Sequence, residues 1–191
     1  MFIYGIWHNY TVVYDELFKD RRNDKIRLFE LGLGSLDENL PSHMTYGFQP
    51  LGSVCGCRKY FQNGMIYGAD IDKNLVVESE RLKTFYCDQR DKLVIEELWN
   101  NEELTGGFDI IIDDGSHEFE DTCIFFENSI HKLNKNGYYI IEDFQEDIAN
   151  KLGVKIKNEW SLRYIDLTFT IYDIANKYNP IDNRLLVIHK V

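Results

Sequence analysis

The hydrophobic positions of the chain form short, nearly continuous runs, and these runs alternate with segments of helical periodicity. Five runs read as strands of a sheet: "KIRLFEL", "GMIYGADID", "KTFYCD", "FDIIIDD" and "GYYIIED". Segments such as "DKLVIEELWN" and "EFEDTCIFFENSIHKL" carry their apolar residues at helical spacing. Alternating strands and helices indicate a parallel sheet, and apolar runs without alternation indicate strands covered on both faces. The pattern therefore predicts an open, doubly wound α/β sheet.

The same pattern predicts the outer elements of one domain over residues 1–191. Residues 1–22 form an N-terminal helical approach, and "NLVVESERL" is predicted to be helical. Residues 36–57 are predicted to be a long irregular loop of the kind that often serves a site, because they contain prolines and glycines. The segments "LRYIDLTF" and "RLLVIHKV" are predicted to be two further strands that form an antiparallel edge.

Charge and cysteine usage restrict the class of partner. The net charge is −11 and the isoelectric point is about 4.9, which argues against a nucleic-acid partner because nucleic-acid binders present a basic face. The spacing of the four cysteines does not match a structural zinc site, and reduced thiols are expected. The sequence shows no signal peptide and no run of ~18 apolar residues, so a cytoplasmic protein without a membrane span is expected.

Acidic residues follow every predicted strand of the parallel sheet. In such a sheet the carboxyl ends of the strands meet at one edge, and ligands bind there, where the strand order reverses. The sequence therefore predicts one site built from the acids at these ends: Glu30, Asp70, Asp72, Asp88, Asp113, Asp114, Glu142 and Asp143.

The stretch "FELGLGS" and the next two strand ends favour a nucleoside ligand. Gly32 and Gly34 allow a tight turn, but Asp37 replaces the third glycine of the dinucleotide pattern, so a ligand without phosphates fits better. Asp70 is placed to accept hydrogen bonds from ribose hydroxyls, and Asp88 with Gln89 could contact a base. A plain strand-to-loop turn is the alternative interpretation of the glycines. Asp72 is expected to cap the next helix.

The stretches "DDGSH" and "IED" predict a cation site. Several carboxylates brought together repel one another unless a cation joins them, and oxygen ligands favour Mg²⁺, Ca²⁺ or Mn²⁺. Asp114, Glu142 and Asp143 are the expected ligands, and His117 could act as a general base. The alternatives are that Asp113 or Ser116 caps a helix, or that the two acids of "IED" are solvated at a helix start.

These motifs resemble the class I S-adenosylmethionine-dependent methyltransferases. More narrowly, the chain is similar to the metal-dependent sugar O-methyltransferases, such as the macrocin and mycinamicin enzymes, and to their relatives in polysaccharide gene clusters. The resemblance runs from about His8 to Asp143 and rests on "LFELGLG", "FYCDQRD", "FDIIIDDGSHEF" and "NGYYIIEDF". One departure is Cys57, which stands where the family often has tryptophan.

The resemblance implies a full set of site residues. Asp114 and His117 are the catalytic pair, with His117 as the general base, and Asp114, Glu142 and Asp143 hold Mg²⁺ or Mn²⁺. Contacts to S-adenosylmethionine are assigned to eight positions: Tyr10, Glu30, Gly32, Gly34, Asp70, Asp88, Gln89 and Asp113. Relatives of this kind form dimers or tetramers, so a homo-oligomer stays open.

The resulting expectation is an O-methyltransferase that acts on a hydroxyl of a sugar or sugar-like acceptor in surface polysaccharide or natural-product biosynthesis. The alternative is a non-catalytic S-adenosylmethionine-binding module that acts as a partner subunit. A different metal-dependent reaction on the same fold is a third option. A non-haem iron hydroxylase is disfavoured, because such a site needs two histidines and only His117 is near the acids.

Overall fold

The computed structural model describes residues 8–45 and 47–191. Residues 1–7 of the predicted N-terminal approach, and Tyr46 of the predicted loop, lie outside the described residues. The described part contains one sheet of eight strands: β1 (Arg27–Leu31), β2 (Met65–Asp70), β3 (Glu78–Ser79), β4 (Leu82–Tyr86), β5 (Phe108–Asp113), β6 (Leu133–Glu142), β7 (Leu167–Asp173) and β8 (Arg184–Lys190).

The strand order confirms the predicted sheet. The order is β3-β4-β2-β1-β5-β6-β8-β7, and the five strands from β4 to β6 are parallel. The chain moves outward from β1 to β4 and then returns to place β5 beside β1, so the order reverses between these two strands. Antiparallel β8 and β7 complete one edge, as the sequence predicts.

Helices cover both faces of the sheet. They are α1 (Thr11–Phe18), α2 (Gly52–Tyr60), α3 (Lys92–Trp99), α4 (Phe119–Ser129) and α5 (Glu146–Lys155). The last helix continues through a π-helical segment, Ile156–Trp160, and a final α-helical turn, Ser161–Arg163. Helices α1 and α2 pack on one face, and α3, α4 and α5 pack on the other. None of the described helices has the length and apolar character needed to cross a membrane.

The continuous apolar runs divide between the two cores with period two. In β5, Ile110 and Ile112 pack toward α1 and α2, whereas Ile111 packs toward α3 and α4. The alternation explains why strands such as "DIIID" lack a polar face. The alternation also decides which face of the sheet the last residue of a strand points to. Asp113, for example, lies on the same face as Ile111.

The segment "NLVVESERL" is not helical, and that prediction is wrong. One 3₁₀ turn spans Lys73–Leu75, after which the chain extends into β3 and returns through Arg81 at φ 60° into antiparallel β4. The Thr84 hydroxyl donates to the Leu75 carbonyl at 2.6 Å and accepts from the Val77 N–H at 2.7 Å. These contacts from the neighbouring strand hold the segment extended, and β-branched valines favour that conformation.

The predicted irregular segment, residues 36–57, is too long at its C-terminal end. Helix α2 already begins at Gly52, although Gly52 and Gly56 are poor helix formers. Val54 is fully buried in the core beneath α2, so tertiary packing outweighs the weak local preference.

The helix that begins at Glu146 and ends at Arg163 is absent from the sequence prediction. Its π-helical segment buries Trp160, whose ring centroid lies 4.2 Å from that of Phe126. The predicted strand over "LRYIDLTF" consequently starts late, at Leu167, because the final helical turn occupies its first residues. The packing of one tryptophan on a distant helix carries no signal in local periodicity.

Candidate active site

A cavity of about 550 Å³ opens at the carboxyl ends of the parallel strands, where the strand order reverses. Nine of the predicted site residues line it: Glu30, Gly32, Gly34, Asp70, Asp88, Gln89, Asp114, His117 and Asp143. Tyr10, Asp113 and Glu142 are not part of its lining. The sheet therefore brings most of the predicted residues to one cavity, and the other three lie outside its lining.

The glycine turn after β1 packs directly on the turn after β5. Gly32 has φ +88°, and a Cβ there would lie 1.9 Å from the carbonyl oxygen of Asp114. The Asp114 N–H donates to the Leu31 carbonyl at 2.9 Å. Only glycine allows this approach, because any side chain would meet backbone atoms. The contact joins the predicted nucleoside-binding turn to the predicted cation-binding turn.

Two acids after β2 are satisfied by the protein itself. The Asp70 carboxylate accepts from the Leu33 N–H at 2.6 Å and from the Asp72 N–H at 2.8 Å. Burial raises its pKa, and these backbone bonds lower it. Asp72 accepts from the Ser35 hydroxyl at 2.6 Å and from the Asn74 N–H, so it caps the 3₁₀ turn Lys73–Leu75 in place of the predicted helix. The Ser35 hydrogen bond lowers the pKa of Asp72.

The residues after β4 connect the cavity to the "DDGSH" turn. Asp88 forms a two-pronged ion pair with Arg90 at 2.7 and 2.8 Å, which lowers the pKa of Asp88. The side-chain amide oxygen Oε1 of Gln89 accepts from the Ser116 N–H at 2.7 Å. The sequence predicts a base contact for Gln89 and gives no sign of this bracing role, which joins residues that are 27 apart.

Asp113 lies beneath the cavity on the α4 side of the sheet. Burial raises its pKa to about 7, and the Gly115 backbone and Gln89 lower it. Its Oδ2 atom and the Nε2 atom of Gln89 are buried without a hydrogen-bond partner in the described residues. Contact with a cofactor therefore stays a prediction for Asp113. The alternative role of Asp113 as a helix cap is not observed, because α4 begins after Glu118.

Four carboxyl groups gather where β1, β5 and β6 end. Burial raises the pKa of Asp114, and repulsion from Glu142, Asp143 and Glu30 adds to the effect. Burial and repulsion from Glu142 raise the pKa of Glu30 to about 8. Glu142 and Asp143 are half-buried and precede α5, which begins at Glu146, so they are not solvated acids in its first turn. The Nδ1 atom of His8 lies 3.1 Å from Asp143 Oδ1, but burial lowers the pKa of His8, so His8 brings no fixed positive charge to these acids.

Hydroxyl groups from α1 and α2 reach three of these acids. The Tyr10 hydroxyl donates to Asp143 Oδ1, and the Tyr14 hydroxyl donates to Glu142 Oε1. The Ser53 hydroxyl donates to Glu30 Oε2 at 2.9 Å. Sequence reasoning placed Tyr10 near the cofactor and did not select Tyr14. The signal that could have found the pair is its i, i+4 spacing, which puts both phenols on one face of a helix.

His117 follows the Asp-Gly-Ser turn with φ 60°. Burial lowers the pKa of its imidazole, whereas a hydrogen bond to the Glu142 backbone raises it. The Nδ1 atom is buried and has no partner among the described residues, so the bond to the backbone falls to Nε2. The ring is therefore neutral near pH 7, and its Nδ1 lone pair is available to accept a proton.

The donor set fits a divalent cation. Asp114, His117 and Asp143 each offer a ligand atom, and these atoms all lie within 4.8 Å of one another. The two carboxylates suit Mg²⁺ or Mn²⁺, which prefer oxygen ligands, and the imidazole beside them is left for another role. Glu142, the third predicted ligand, does not belong to this group, and its carboxylate is held by Tyr14. Metal binding by Glu142 stays a prediction.

Sequence comparison identifies sugar O-methyltransferases as relatives. No protein-family model matches the chain. Demethylmacrocin O-methyltransferase of Streptomyces fradiae is 34% identical over 140 residues, which cover 73% of this chain and 33% of that protein. Mycinamicin VI 2''-O-methyltransferase of Micromonospora griseorubida is 33% identical over 140 residues, with 73% and 32% covered. The chain thus spans about a third of the length of these curated relatives.

Structural comparison gives the same result. The MycE methyltransferase of mycinamycin biosynthesis, in complex with Mg and SAH, matches with a TM-score of 0.70 and 25% identity over 95% of this chain and 49% of that chain. An rRNA methylase of Streptococcus thermophilus has a TM-score of 0.61 at 10% identity, covers 94% of this chain and 95% of that chain, and is similar in fold alone. The fold is that of the class I methyltransferases, and the resemblance to the sugar O-methyltransferases is confirmed.

Proposed function

We propose that this chain is an S-adenosylmethionine- and divalent-metal-dependent O-methyltransferase that acts on a hydroxyl group of a sugar or sugar-like acceptor. The observation that carries the proposal is the unpartnered Nδ1 atom of His117, which lies beside Asp114 and Asp143 at one cavity. A neutral imidazole next to a group of acids suits proton removal from a hydroxyl held near a cation.

The cofactor half of the cavity fits a nucleoside with a charged amino-acid tail. The Gly32 turn lets the ligand approach the backbone closely, and the fixed Asp70 carboxylate accepts hydrogen bonds from ribose hydroxyls. The buried Nε2 atom of Gln89 has no partner in the described residues and offers a donor at the same cavity. S-adenosylmethionine, when bound, supplies the electrophilic methyl group.

The cation half of the cavity orients the acceptor. Asp114 and Asp143 would hold Mg²⁺ or Mn²⁺, with Glu142 as the third predicted ligand. A bound divalent cation would supply charge stabilisation for the alkoxide that develops on the acceptor. His117 Nδ1 takes the proton from the acceptor hydroxyl, while its Nε2–H stays on the Glu142 backbone and fixes the ring.

The acceptor is proposed to be a glycoside of a natural product or of a surface polysaccharide. The curated relatives are named for methylation of macrolide and tetracenomycin sugars. In this chain the segment before α2 lines the cavity with Pro41, Ser42, His43 and Met44, which would face the acceptor. We include no nucleic acid among the partners, because the chain carries a net charge of −11. We place the reaction in the cytoplasm, in keeping with four free cysteines.

A non-catalytic cofactor-binding module is not favoured. Such a module would have no use for a neutral histidine with an unpartnered Nδ1 atom beside Asp114 and Asp143. A module would also gain nothing from burying repelling carboxyl groups, which cost stability without a cation.

The proposal is tested by methyl transfer from labelled S-adenosylmethionine to a panel of neutral glycosides and surface glycans. We expect transfer in the presence of Mg²⁺ and background incorporation in excess EDTA, because the cation site would be emptied. Binding of S-adenosylhomocysteine should persist in EDTA. Equal transfer with Mg²⁺ and with EDTA would rule out the metal requirement. Absence of S-adenosylhomocysteine binding at millimolar ligand would rule out the methyltransferase function.

A further inference from the structure

Helix α1 presents two phenols to two successive acids of another element. Tyr10 directly precedes the first residue of α1, and Tyr14 lies one turn later, with its N–H donating to the Tyr10 carbonyl at 2.9 Å. Their hydroxyls reach Asp143 Oδ1 and Glu142 Oε1, respectively. The two acids are adjacent in sequence, and each one receives its own phenol. The match between a helical i, i+4 pair and two neighbouring residues is a feature of the site that the proposed function does not use.

The two phenols are held rigidly. Tyr10 is buried, and Val13 and Phe18 anchor α1 in the core between the helix and the sheet. The Tyr14 ring stacks on Phe18 with centroids 6.0 Å apart. Phe18 in turn packs edge to face against Phe61, which directly follows α2. Because the rings are fixed by packing, the hydroxyl positions are fixed as well.

The end of β6 needs such support. Asp143 has φ 57°, an unfavourable conformation for a residue with a side chain, and its N–H donates to the Arg184 carbonyl at 3.2 Å. These backbone contacts place the Asp143 Cα, and its Oδ1 atom lies 3.1 Å from His8 Nδ1. The hydroxyl of Tyr10 binds one carboxylate oxygen and so selects an orientation.

A phenol is a suitable partner for an acid that must bind a cation. A lysine or arginine in the same place would form an ion pair and compete with the metal for the carboxylate. A phenol donates one hydrogen bond and adds no positive charge, so it does not compete electrostatically with the cation for the carboxyl group. Hydrogen-bond partners of metal ligands commonly set both ligand orientation and metal affinity.

We propose that Tyr10 and Tyr14 are positioning residues of the divalent-cation site. Tyr10 orients Asp143, and Tyr14 orients Glu142, so that α1 acts as a brace for the acids at the end of β6. The inference rests on the proposed metal-dependent function, and its Tyr14 part rests also on Glu142 as the third predicted ligand. It adds that cation affinity depends on a helix that contributes no ligand of its own.

The test compares three variants that each lose a single phenol hydroxyl. Tyr10→Phe and Tyr14→Phe remove the donors to the acids. Tyr60→Phe is the matched control, since Tyr60 packs against the same core and its buried hydroxyl has no partner in the described residues. Mn²⁺ affinity is measured by electron paramagnetic resonance, S-adenosylhomocysteine affinity by calorimetry, and thermal stability by scanning calorimetry.

We expect Tyr10→Phe and Tyr14→Phe each to weaken Mn²⁺ binding by about 10–100-fold, which is the usual effect of removing a partner of a metal ligand. S-adenosylhomocysteine affinity should stay within about twofold, and Tyr60→Phe should match the wild type in both affinities. Unchanged Mn²⁺ affinity in both acid-facing variants would overturn the proposal. An equal loss of both affinities would also overturn it, because it would indicate general damage to the fold.

The wild-type titrations separate this inference from the function on which it rests. If the wild type binds no Mn²⁺, the cation site and the bracing role are both overturned. If the wild type binds Mn²⁺ and the two variants bind it more weakly, the bracing role is supported even when no acceptor in the panel is methylated.

Discussion

The acidic residues in the two halves of the cavity have different surroundings. At the ends of β2 and β4, Asp70 and Asp72 accept backbone and hydroxyl hydrogen bonds, and Asp88 is paired with Arg90. At the ends of β5 and β6, Asp114 and Asp143 face other acids and have raised pKa values. The acids of the first half have polar partners within the chain, although burial still raises the pKa of Asp70, whereas the acids of the second half repel one another.

The difference indicates which kind of ligand each half receives. Carboxylates whose charge is already balanced can accept hydrogen bonds from neutral ribose hydroxyls without further compensation. Carboxylates that repel one another gain most from a divalent cation. The two halves meet at Gly32, whose missing Cβ lets one turn lie against the other. The arrangement predicts that cofactor binding and cation binding respond separately to mutation.

The largest difference between the effect on methyl transfer and the effect on cofactor affinity is expected for His117→Ala. The variant loses the proposed general base, so methyl transfer should fall by ~10²- to 10⁴-fold. S-adenosylhomocysteine affinity should stay unchanged, because His117 belongs to the cation half. Steady-state transfer and calorimetry on the same preparation provide the two measurements. Unaltered turnover would remove His117 from the chemistry, and loss of cofactor binding would show that the halves are not separate.

Asp70→Asn provides the opposite test in the cofactor half. Hydrogen bonds to a charged group contribute about 1.5–3 kcal/mol, so S-adenosylhomocysteine affinity should fall by roughly 10- to 100-fold. Mn²⁺ affinity should stay within about twofold of the wild type. The comparison is made by calorimetry for the cofactor product and by paramagnetic resonance for the metal. A variant that loses Mn²⁺ instead would reverse the assignment of the two halves.

The stability of the metal-free protein should fall as the pH rises. Burial raises the pKa of Asp113 to about 7 and of Glu30 to about 8, and raises those of Asp114, Glu142 and Asp143 in the same direction. In the unfolded chain these groups ionise near pH 4, so between about pH 4 and 8 the folded state binds more protons. The folded state therefore loses stability through that window as the pH increases.

Added Mg²⁺ should reduce this loss. We expect the melting temperature in EDTA to fall by several degrees from pH 6 to pH 8.5, since ~1 kcal/mol corresponds to about 2–4 °C for a chain of this size. Mg²⁺ should raise the melting temperature more at pH 8.5 than at pH 6, because the carboxylates are then ionised. A metal-free protein that gains stability across this range would contradict the raised pKa values.

The smallest effect is expected at the Asp88–Arg90 pair. Arg90 is exposed, and surface ion pairs contribute about 0–1 kcal/mol. Arg90→Ala should therefore change the free energy of unfolding by less than about 1 kcal/mol in urea denaturation, and Mn²⁺ affinity should not change. A larger loss of stability would mean that the cofactor half depends on this pair for its structure.

The sequence was sufficient to predict the sheet and to bring nine of the predicted site residues to the cavity. Parallel strands bring their ends together by geometry, so acids such as Asp70, Asp114 and Asp143 could be assigned to one edge without knowledge of side-chain contacts. The glycines could be assigned for the same reason, because a tight turn after a strand has a local signature.

The contacts between distant elements could not be predicted. Tyr14 and Glu142 are separated by 128 residues, and nothing in the local pattern around either of them indicates the other. The bracing of Ser116 by Gln89 is likewise a product of the folded chain. The helix beginning at Glu146 and the extended segment before β4 were mispredicted because tertiary packing, rather than local preference, decides their conformation.

The most direct test of the account is a calorimetric titration of Mg²⁺ into the protein at pH 7 in two buffers of different ionisation enthalpy. The account predicts that Mg²⁺ binds and that protons are released on binding, because the carboxyl groups of the cation half hold protons that the metal displaces. It also predicts that Asp114→Asn loses most of this binding while S-adenosylhomocysteine still binds. Absence of Mg²⁺ binding, or binding without proton release, would contradict the account.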